Sequence, residues 1–415
     1  MLTIENGISN DVNTSIPTGW GLCSLEEVCD IRNKIHVDSE LYVGLENIGQ
    51  GDNALISRGN TKDFKSTKNT FKKGDILYGK LRPLLNKAYL ATEDGYCSTD
   101  ILPLRVNDNI SAEFLLRVLT DKRFLSFAVA TSNGTKMPRT NWADMRDFKV
   151  LLPPSQEQRK IASIISKEDE LIQKTDQIIE QTQRLKKGLM QKLLTKGIGH
   201  RTYQKLTLFP SYLSTMIPEE WSIVKFGDVT KRITYGFTNP MPHVEEGPWL
   251  ITAKDVKHGK INYVTAEKTT SQAYKQLLSD KSRPRLGTVL ITKDGTLGEV
   301  GIVDRENICI NQSVASLEPN ETISSEFLAL CLQSPITKRI IEAYSPSTTI
   351  KHISITDLAE WKFGLPPLKE QKRIISVLID VDSYVTNYYQ TKSKLQNIKQ
   401  GLMQKLLTGK IRVMT

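Results

Sequence analysis

Three patterns in this sequence bring together residue types that could catalyse a reaction, and each lacks a residue that its chemistry needs. Gly74-Asp-Ile-Leu-Tyr-Gly-Lys80 is similar to the start of a phosphate-binding loop, but Leu81 stands where a magnesium-binding Ser or Thr is required. The two Pro-Pro pairs lie in Leu-Pro-Pro-Ser and Leu-Pro-Pro-Leu, not in the Asn/Asp-Pro-Pro-aromatic tetrapeptide of adenine methyl transfer. The 5 cysteines and 5 histidines show no metal-ligand spacing. These patterns therefore give no support for a nucleotide site, for adenine methyl transfer or for a metal site.

Basic residues are concentrated in two blocks that could bind phosphate groups. The first block, Arg58 to Lys87, holds 9 basic residues against 2 acidic ones, and the second, Lys254 to Lys293, holds 9 against 3. A solvated surface would explain one such block, but two at related places favour a nucleic-acid partner. The candidate DNA-binding residues are Arg58, Lys62, Lys65, Lys68, Lys72, Lys73, Lys80, Arg82 and Lys87 in the first block, and Lys254, Lys257, Lys260, Lys281, Arg283, Arg285 and Lys293 in the second.

The elements that must position these blocks follow from an internal repeat. Gly188-Leu-Met-Gln-Lys-Leu-Leu-Thr195 recurs unchanged at 401–408, an offset of 213 residues. The same offset relates the two Pro-Pro pairs, the Glu-Gln pairs that follow them, and Gly74 to Gly287. An identity of eight residues, supported by further matches in constant order, indicates two copies of one structural unit.

Each copy ends in a predicted long helix. Apolar residues recur at steps of three and four, at Ile161, Ile164, Leu171, Ile178, Leu185, Leu189 and Leu193 in the first copy and at Ile374, Val377, Val381, Tyr384, Tyr388, Leu395, Ile398, Leu402 and Leu406 in the second. A helix of about 40 residues is about 60 Å long, and this spacing is typical of a coiled coil. We expect the two helices to pack on each other rather than each on its own domain. Ser155-Gln-Glu-Gln158 has the form of a capping box at the start of the first helix.

The remaining sequence predicts two globular domains of mixed α/β class. Runs of alternating apolar residues predict strands at 75–78, 87–90, 101–104, 288–291 and 300–303, and helices follow at 112–119 and 325–332. We expect a first domain over 1–150, a central helix over 151–200, a linker and second domain over 201–363, and a C-terminal helix over 364–415. Residues 196–216 have the character of a linker.

Composition limits the class of protein. The chain has 415 residues, is 39% apolar and carries a net charge of +10. Residues 151–200 and 364–415 hold most of this excess, with 9 basic against 6 acidic and 9 against 3 side chains. No run of about 18 apolar residues predicts a transmembrane helix, and the polar N terminus does not resemble a signal peptide. The odd, scattered cysteines favour a reducing cytoplasm.

The sequence resembles the specificity (S) subunit of a Type I restriction-modification system. The resemblance is carried by Gly74-Asp-Ile-Leu-Tyr-Gly-Lys-Leu-Arg-Pro83, by the Leu-Pro-Pro-x-x-Glu-Gln-x-x-Ile segments at 152–161 and 365–374, and by the two Gly-Leu-Met-Gln-Lys-Leu-Leu-Thr segments. It covers essentially the whole chain, and the double occurrence of these motifs makes it specific.

This resemblance implies a function and a set of partners. The two globular domains would be target recognition domains that read the two halves of a split, asymmetric sequence in double-stranded DNA. The helices would form an antiparallel coiled coil that holds the domains apart and docks two methyltransferase subunits, and a restriction/translocase subunit would join for cleavage. S-adenosylmethionine, ATP and magnesium would be bound by those partners, and none by this chain.

The identical eight-residue segments are candidate partner contacts. We expect their leucines to point inward and Gln191, Lys192, Gln404 and Lys405 to face a partner. Alternatively, the leucines of these segments simply close the coiled coil, and the segments contact no partner.

Two other classes of function remain open at this point. A stand-alone enzyme acting on DNA would need a catalytic motif that the sequence lacks. A coiled-coil adaptor without a DNA role would leave the two basic blocks unexplained.

Overall fold

A computed structural model describes residues 16–51, 53–63, 68–257, 259–344 and 352–413. The chain divides into two compact units. Unit 1 comprises Met1–Gln177 and Tyr389–Thr415, and unit 2 comprises Ile178–Tyr388. Each unit therefore combines one globular domain with a part of each long helix. In the described part of the chain, no helix combines the length and the apolar character needed to span a bilayer.

Unit 1 contains two four-stranded sheets and three short helices beside the long ones. The sheet orders are β2-β9-β6-β7 and β4-β3-β8-β5, and β1 pairs with β10. The strands are β1 (Gly21–Ser24), β2 (Cys29–Ile31), β3 (Leu41–Val43), β4 (Gly59–Asn60), β5 (Lys68–Phe71), β6 (Ile76–Gly79), β7 (Ala88–Leu90), β8 (Gly95–Ser98), β9 (Ile101–Val106) and β10 (Lys149–Leu152). The helices are α1 (Ala112–Leu119), α2 (Lys122–Ala130), α3 (Trp142–Met145) and the start of α4 (Ser155–Lys196).

Unit 2 repeats this plan with more strands. Its sheet orders are β14-β22-β19-β20, β18-β15-β21, β16-β17, β11-β12 and β13-β23. The strands are β11 (Tyr203–Thr207), β12 (Ser214–Pro218), β13 (Ser222–Lys225), β14 (Thr230–Tyr235), β15 (His243–Ile251), β16 (Val256–Lys257), β17 (Lys260–Ile261), β18 (Glu267–Thr269), β19 (Val289–Thr292), β20 (Val300–Ile302), β21 (Ile308–Ile310), β22 (Val314–Pro319) and β23 (Lys362–Leu365). The helices are α5 (Ser271–Gln276), α6 (Ser325–Gln333), α7 (Pro335–Tyr344), α8 (Ile355–Glu360) and α9 (Leu368–Leu406).

The two globular domains share their central strands in the same register. Ile76 lies opposite Leu104 between β6 and β9, and Val289 lies opposite Leu317 between β19 and β22. Both pairs differ by the repeat offset of 213 residues. The predicted strands and short helices are thus confirmed as elements, and so is the mixed α/β class. These central strands are buried on both faces, which explains their continuous apolar sequence.

The segment that we expected to be a linker forms a hairpin instead. Its strands β11 and β12 pair antiparallel over residues 203–207 and 214–218. Leu206 and Leu208 are buried in the core of unit 2, together with Leu193 of α4. The polar and turn residues of this segment gave a linker-like composition, but its few apolar residues alternate in strand fashion and fill the core.

A glutamate near the start of each long helix, buried in unit 1 and half-buried in unit 2, binds the tryptophan at the entrance of the globular domain. Trp20 Nε1 donates to Glu157 Oε2 at 2.9 Å, and Trp221 Nε1 donates to Glu370 Oε2 at 3.1 Å. Each carboxylate also accepts hydrogen bonds from the segment that follows the C-terminal end of the other long helix in its unit.

In unit 1 this segment is the tail after α9, and in unit 2 it is the turn after α4. Arg412 donates to both Glu157 oxygens at 2.9 Å, and the Ile198 amide donates to Glu370 at 2.9 Å. Gly197 has a φ of +61° there, and an added Cβ would lie 2.6 Å from the Glu370 carboxylate. A glycine is therefore required where the chain passes the glutamate.

The glutamine beside each glutamate completes the attachment. Gln158 Oε1 accepts from the Ser111 amide at 2.7 Å, and its Nε2 donates to the Pro153 carbonyl at 2.9 Å. Gln371 makes the same two bonds to Ser324 and Pro366, at 3.1 and 3.0 Å. The capping-box interpretation is therefore wrong: Ser155 is already helical, and Gln158 binds the globular domain. We call Glu157-Gln158 and Glu370-Gln371, with these partners, the two clamps.

Ion pairs set an antiparallel register between the long helices. In unit 1, Lys399 pairs with Asp169 at 2.6 Å, and Lys392 pairs with Asp176 at 2.6 Å. Seven residues forward along α4 thus match seven residues backward along α9. In unit 2, Lys186 pairs with Asp382 at 2.5 Å. The repeat offset relates this pair to Asp169–Lys399 with the two helices exchanged, so one ion pair occurs twice.

The expected coiled coil is confirmed, but its seam is not the one that the apolar spacing predicted. Leu171, Ile178 and Leu185 of α4 are 45%, 38% and 56% exposed. Thr175 and Ile179 are buried instead. The face of α4 that forms the coiled-coil contact therefore combines apolar, threonine and ion-paired side chains. A search for apolar spacing alone does not detect such a face.

The ends of both helices pack into globular domains as well as against each other. Met190, Leu193 and Leu194 of α4 join the core of unit 2. Their repeat equivalents at the end of α9, at positions 403 and 406, and directly after it, at position 407, join the core of unit 1. The identical eight-residue segments are thus inward-facing at their leucines, as expected, but the surface they fill belongs mainly to a globular domain.

Removing the carboxylate of Asp169 should destabilise unit 1 strongly. Asp169 bridges Lys399 and Arg117, and all three side chains are at most 12% exposed. D169N leaves two buried cations without a counterion, which costs about 3 kcal/mol. The free energy of unfolding in urea measures this loss. The control R184Q breaks the exposed Arg184–Glu180 pair and should cost less than about 0.5 kcal/mol; equal losses would contradict the assignment.

The clamp of unit 1 should make stability depend on pH. The Arg412 guanidinium, aided by hydrogen bonds from Trp20 and Val413, holds the pKa of Glu157 below its ordinary value of 4.5. Because the folded state binds a proton less readily than the unfolded state, the stabilisation exists above that value and is lost as the pH falls through the folded pKa.

E157Q should therefore cost about 2 kcal/mol at pH 7 and flatten the loss of stability between pH 5 and pH 3. Urea unfolding at a series of pH values measures both effects. The control E170Q changes an exposed glutamate of the same helix and should retain the wild-type profile. An E157Q profile as steep as that of the wild type would refute this role.

Candidate nucleic-acid interface

Most basic residues of the first block are held by neighbours within the first globular domain. Arg58 pairs with Glu93, Lys62 with Glu40, and Lys72 with Asp94. The ammonium groups of Lys68 and Lys87 donate to backbone carbonyls, those of Thr61 and Leu45. Lys65 lies outside the described residues.

The second block shows the same behaviour. Lys254 pairs with Glu267 at 2.8 Å, and Arg283 pairs with Asp280 at 2.8 Å. Arg285 is 76% exposed and lies 3.9 Å from Glu318. The exposed Lys254–Glu267 pair contributes little to stability, because water screens it and both side chains lose freedom, whereas Arg283 is half-buried. Such pairs can open without much cost when a phosphate competes for the cation.

Six candidate residues make no side-chain hydrogen bond or ion pair within the described part of the chain. They are Lys73, Lys80 and Arg82 in the first domain and Lys257, Lys260 and Lys281 in the second. All except the half-buried Lys80 are exposed. These side chains need break no contact to reach a phosphate or a base edge.

Lys293 differs from the other candidates in the described part of the chain because it is buried. Its side chain is 8% exposed, its Nζ lies 2.9 Å from Asp294, and it stands over the Tyr235 ring at 5.3 Å. His352 Nδ1 lies 2.5 Å from Asp294 Oδ1. Burial opposes ionisation of Asp294, but hydrogen bonds from His352 and Lys293 prevail and lower its pKa. Lys293 therefore fixes Asp294 and, through it, His352 at the surface.

The segments after β6 and β19 occupy equivalent places in the two domains. Lys80 N donates to Asp100 O, and Lys293 N donates to Ser313 O, each at 2.9 Å. Leu81 forms a β-bridge with Arg139, and Asp294 forms the equivalent bridge with His352. We call residues 80–86 with 137–140, and residues 293–298 with 352–353, the two matched loops.

Sequence reasoning missed part of these loops. Arg139, Asp294 and His352 were not among the candidate residues, although the repeat offset relates Arg139 to His352 and Leu81 to Asp294. A comparison of the two copies position by position would have singled out these places as ones where side-chain chemistry differs. Charge density alone could not identify these positions, because it selects basic residues and takes no account of the acidic residues that pair with them.

The candidate partner contacts on the helices face outward. Gln191, Lys192, Gln404 and Lys405 are exposed, and the apolar neighbours described above are buried. Within the described residues there is no group of three or more His, Cys, Asp or Glu side chains that could hold a metal ion.

Comparison with known proteins identifies the family. Residues 17–184 and 218–399 match the family model described as Type I restriction modification DNA specificity domain. The type I restriction enzyme MjaVIII specificity subunit of Methanocaldococcus jannaschii is 29% identical over 299 residues, which cover 69% of this chain and 68% of that protein. The HindI specificity subunit of Haemophilus influenzae is 23% identical over 418 residues, covering 85% of this chain and 90% of that protein.

Solved structures agree in fold. A chain solved in work on complex assembly and conformational transition of the type I R-M system has a TM-score of 0.66 and 20% identity, covering 96% of this chain and 100% of that chain. The S subunit from M. genitalium has a TM-score of 0.53 and 16% identity, with full coverage of both chains. The resemblance first drawn from the repeated motifs is confirmed, and neither alternative class of function gains support. Because the family model matches both copies of the repeat, the chain belongs to the family of Type I restriction-modification DNA specificity subunits.

Proposed function

We propose that this chain selects the DNA sequence on which a Type I restriction-modification complex acts, and that it catalyses no step itself. Each globular domain reads one half of a split, asymmetric target in double-stranded DNA. The observation that carries the proposal is the pair of matched loops: one backbone frame, built twice, presents different side chains. A repeated frame with altered loops suits two half-sites of different sequence.

The partners follow from the same assignment. Two methyltransferase subunits dock on the paired helices, and a restriction/translocase subunit joins the complex for cleavage. S-adenosylmethionine, ATP and magnesium belong to these partners. Gln191, Lys192, Gln404 and Lys405 contribute polar contacts, and exposed apolar side chains of the helices contribute the buried centre of the docking surface.

Genome-wide mapping of methylated adenines tests this function. The chain and a modification subunit from the same genome are produced together in a host that lacks DNA methylation. One split motif, present only when both chains are produced, is the expected result. A methylation pattern that is unchanged when this chain is omitted would overturn the proposal.

Exposed cations without partners should contribute more to DNA affinity than cations held in ion pairs. K257Q/K260Q/K281Q removes three of the former and should reduce the slope of log affinity against log salt by about 2 to 3. K254Q/R283Q/R285Q removes the same charge from ion-paired positions and should reduce it by less. Fluorescence anisotropy with duplex DNA at several salt concentrations measures both slopes. Equal reductions would show that net charge alone matters.

Leu171, Ile178 and Leu185 should be needed for docking rather than for folding. They recur every seven residues on α4 and share one face, yet all three are exposed. The triple serine variant should bind the modification subunit at least 10-fold more weakly in a pull-down titration. Its urea unfolding should change by less than about 1 kcal/mol, because these side chains are not buried. The control I179S changes a buried position and should instead destabilise the chain.

A further inference from the structure

In the matched loop of the first domain, Arg82 has a backbone conformation that is unfavourable for a residue with a side chain. Arg82 has φ +50° and ψ +67°, in the left-handed region that disfavours every residue with a Cβ. Pro83 follows, and a residue before proline prefers an extended backbone. The equivalent position in the second domain is Gly295, with φ +75° and no atom within 4 Å of an added Cβ. The residue with positive φ is thus arginine in one domain and glycine in the other. The turns that follow differ, since Leu85 N donates to Arg82 O whereas Gly298 N donates to Thr292 O.

Hydrogen bonds hold Arg82 in this conformation. Its amide donates to Pro138 O at 2.7 Å, its carbonyl accepts from Leu85 N at 2.9 Å, and Thr140 N donates to Lys80 O at 3.0 Å. The backbone on both sides of Arg82 is therefore fixed. Glycine would satisfy the same bonds with less strain, so the backbone does not explain the presence of arginine.

The side chain of Arg82 has no recorded partner in the described part of the chain, and it is exposed. No side-chain contact within the described residues therefore accounts for arginine at this position. Strained positions of this kind concentrate at functional sites, where the surrounding structure maintains them.

The neighbours of Arg82 favour a base edge over a phosphate. Leu84 is 71% exposed and Met137 is 48% exposed, so the tip of the loop joins one guanidinium with two protruding apolar side chains. Arg139 lies beside them with 52% of its side chain exposed, 3.3 Å from Asp100. A phosphate contact needs charge alone, whereas the major groove offers thymine methyl groups for apolar contact and guanine for a planar pair of donors.

We propose that Arg82 is a specificity-determining residue that reads a guanine in the half-site of the first domain, donating two hydrogen bonds to its O6 and N7 atoms. This inference rests on the proposed function. The rigid backbone gives the guanidinium a fixed starting point, which a two-bond contact requires. Lys80 and Arg139 flank the loop and bind phosphates. The second domain, with Gly295 in place of arginine, presents the His352–Asp294 pair and reads a different base.

R82K separates base reading from charge, because lysine keeps the cation but not the planar fork. The full chain carrying R82K is produced with the modification subunit in a host without methylation, and the methylated motif is mapped. We expect one guanine position in one half-site to lose discrimination by about 10- to 100-fold, and the other half-site to stay unchanged. R82G should relax the same position and unfold in urea no earlier than the wild type, since glycine relieves the strained backbone.

The control R105K makes the same exchange at an exposed arginine of β9 outside the matched loop, and should leave the motif unchanged. A wild-type motif that R82K does not alter, or an R82K effect at a position other than guanine, would overturn the inference and leave the proposed function standing. If R82K weakens methylation uniformly at every site, Arg82 binds a phosphate and the inference also fails. Absence of any motif with the wild-type chain would instead refute the proposed function.

Discussion

A buried amide and a neighbouring carboxylate, buried in unit 1 and half-buried in unit 2, lie at the start of each long helix and are the constraint on which the two units depend. Glu157 and Gln158 bind the tryptophan at the entrance of the first domain, the turn before α1, and the tail after α9. Glu370 and Gln371 bind the corresponding groups in the second domain. A buried polar group without a partner is costly, so each clamp accepts only the arrangement in which all its bonds are made. The direction in which each helix leaves its domain is fixed as a result.

This constraint separates a constant part of the molecule from a variable one. The central strands, the inward-facing ends of the helices, and the tryptophan and amide bonds of the clamps repeat, while the contact from the other helix is Arg412 in unit 1 and Ile198 in unit 2. The matched loops share the backbone bonds that anchor them but differ in side chains, with Arg82 and Arg139 in one and Gly295 and His352 in the other. A frame that tolerates different loops can hold two reading surfaces of unlike sequence, which an asymmetric target needs.

The sequence predicted the repeat, the strands that are buried on both faces, and both long helices, because each of these leaves a strong local or periodic signal. It failed where partners distant in sequence decide the outcome. The Gln158 side chain could equally have capped its own helix, and only the position of Ser111 determines otherwise. Leu171 and Ile178, which the apolar spacing placed in the seam, are exposed, and ion pairs between the helices contribute to the register instead. Charge density selected Lys293, whose burial beside Asp294 has no signature in composition.

Exchanging one domain for a copy of the other tests most directly whether a constant frame carries two independent reading surfaces. Residues 21–152 would replace residues 222–365, so that β1 and β10 take the places of β13 and β23. Ser111 would then supply the amide that Gln371 now receives from Ser324, and the second clamp would persist. In a methylation-mapping experiment, the account predicts a split motif whose two halves contain the same bases. A motif that keeps the second half of the wild-type target, or a folded complex with no motif, would contradict it.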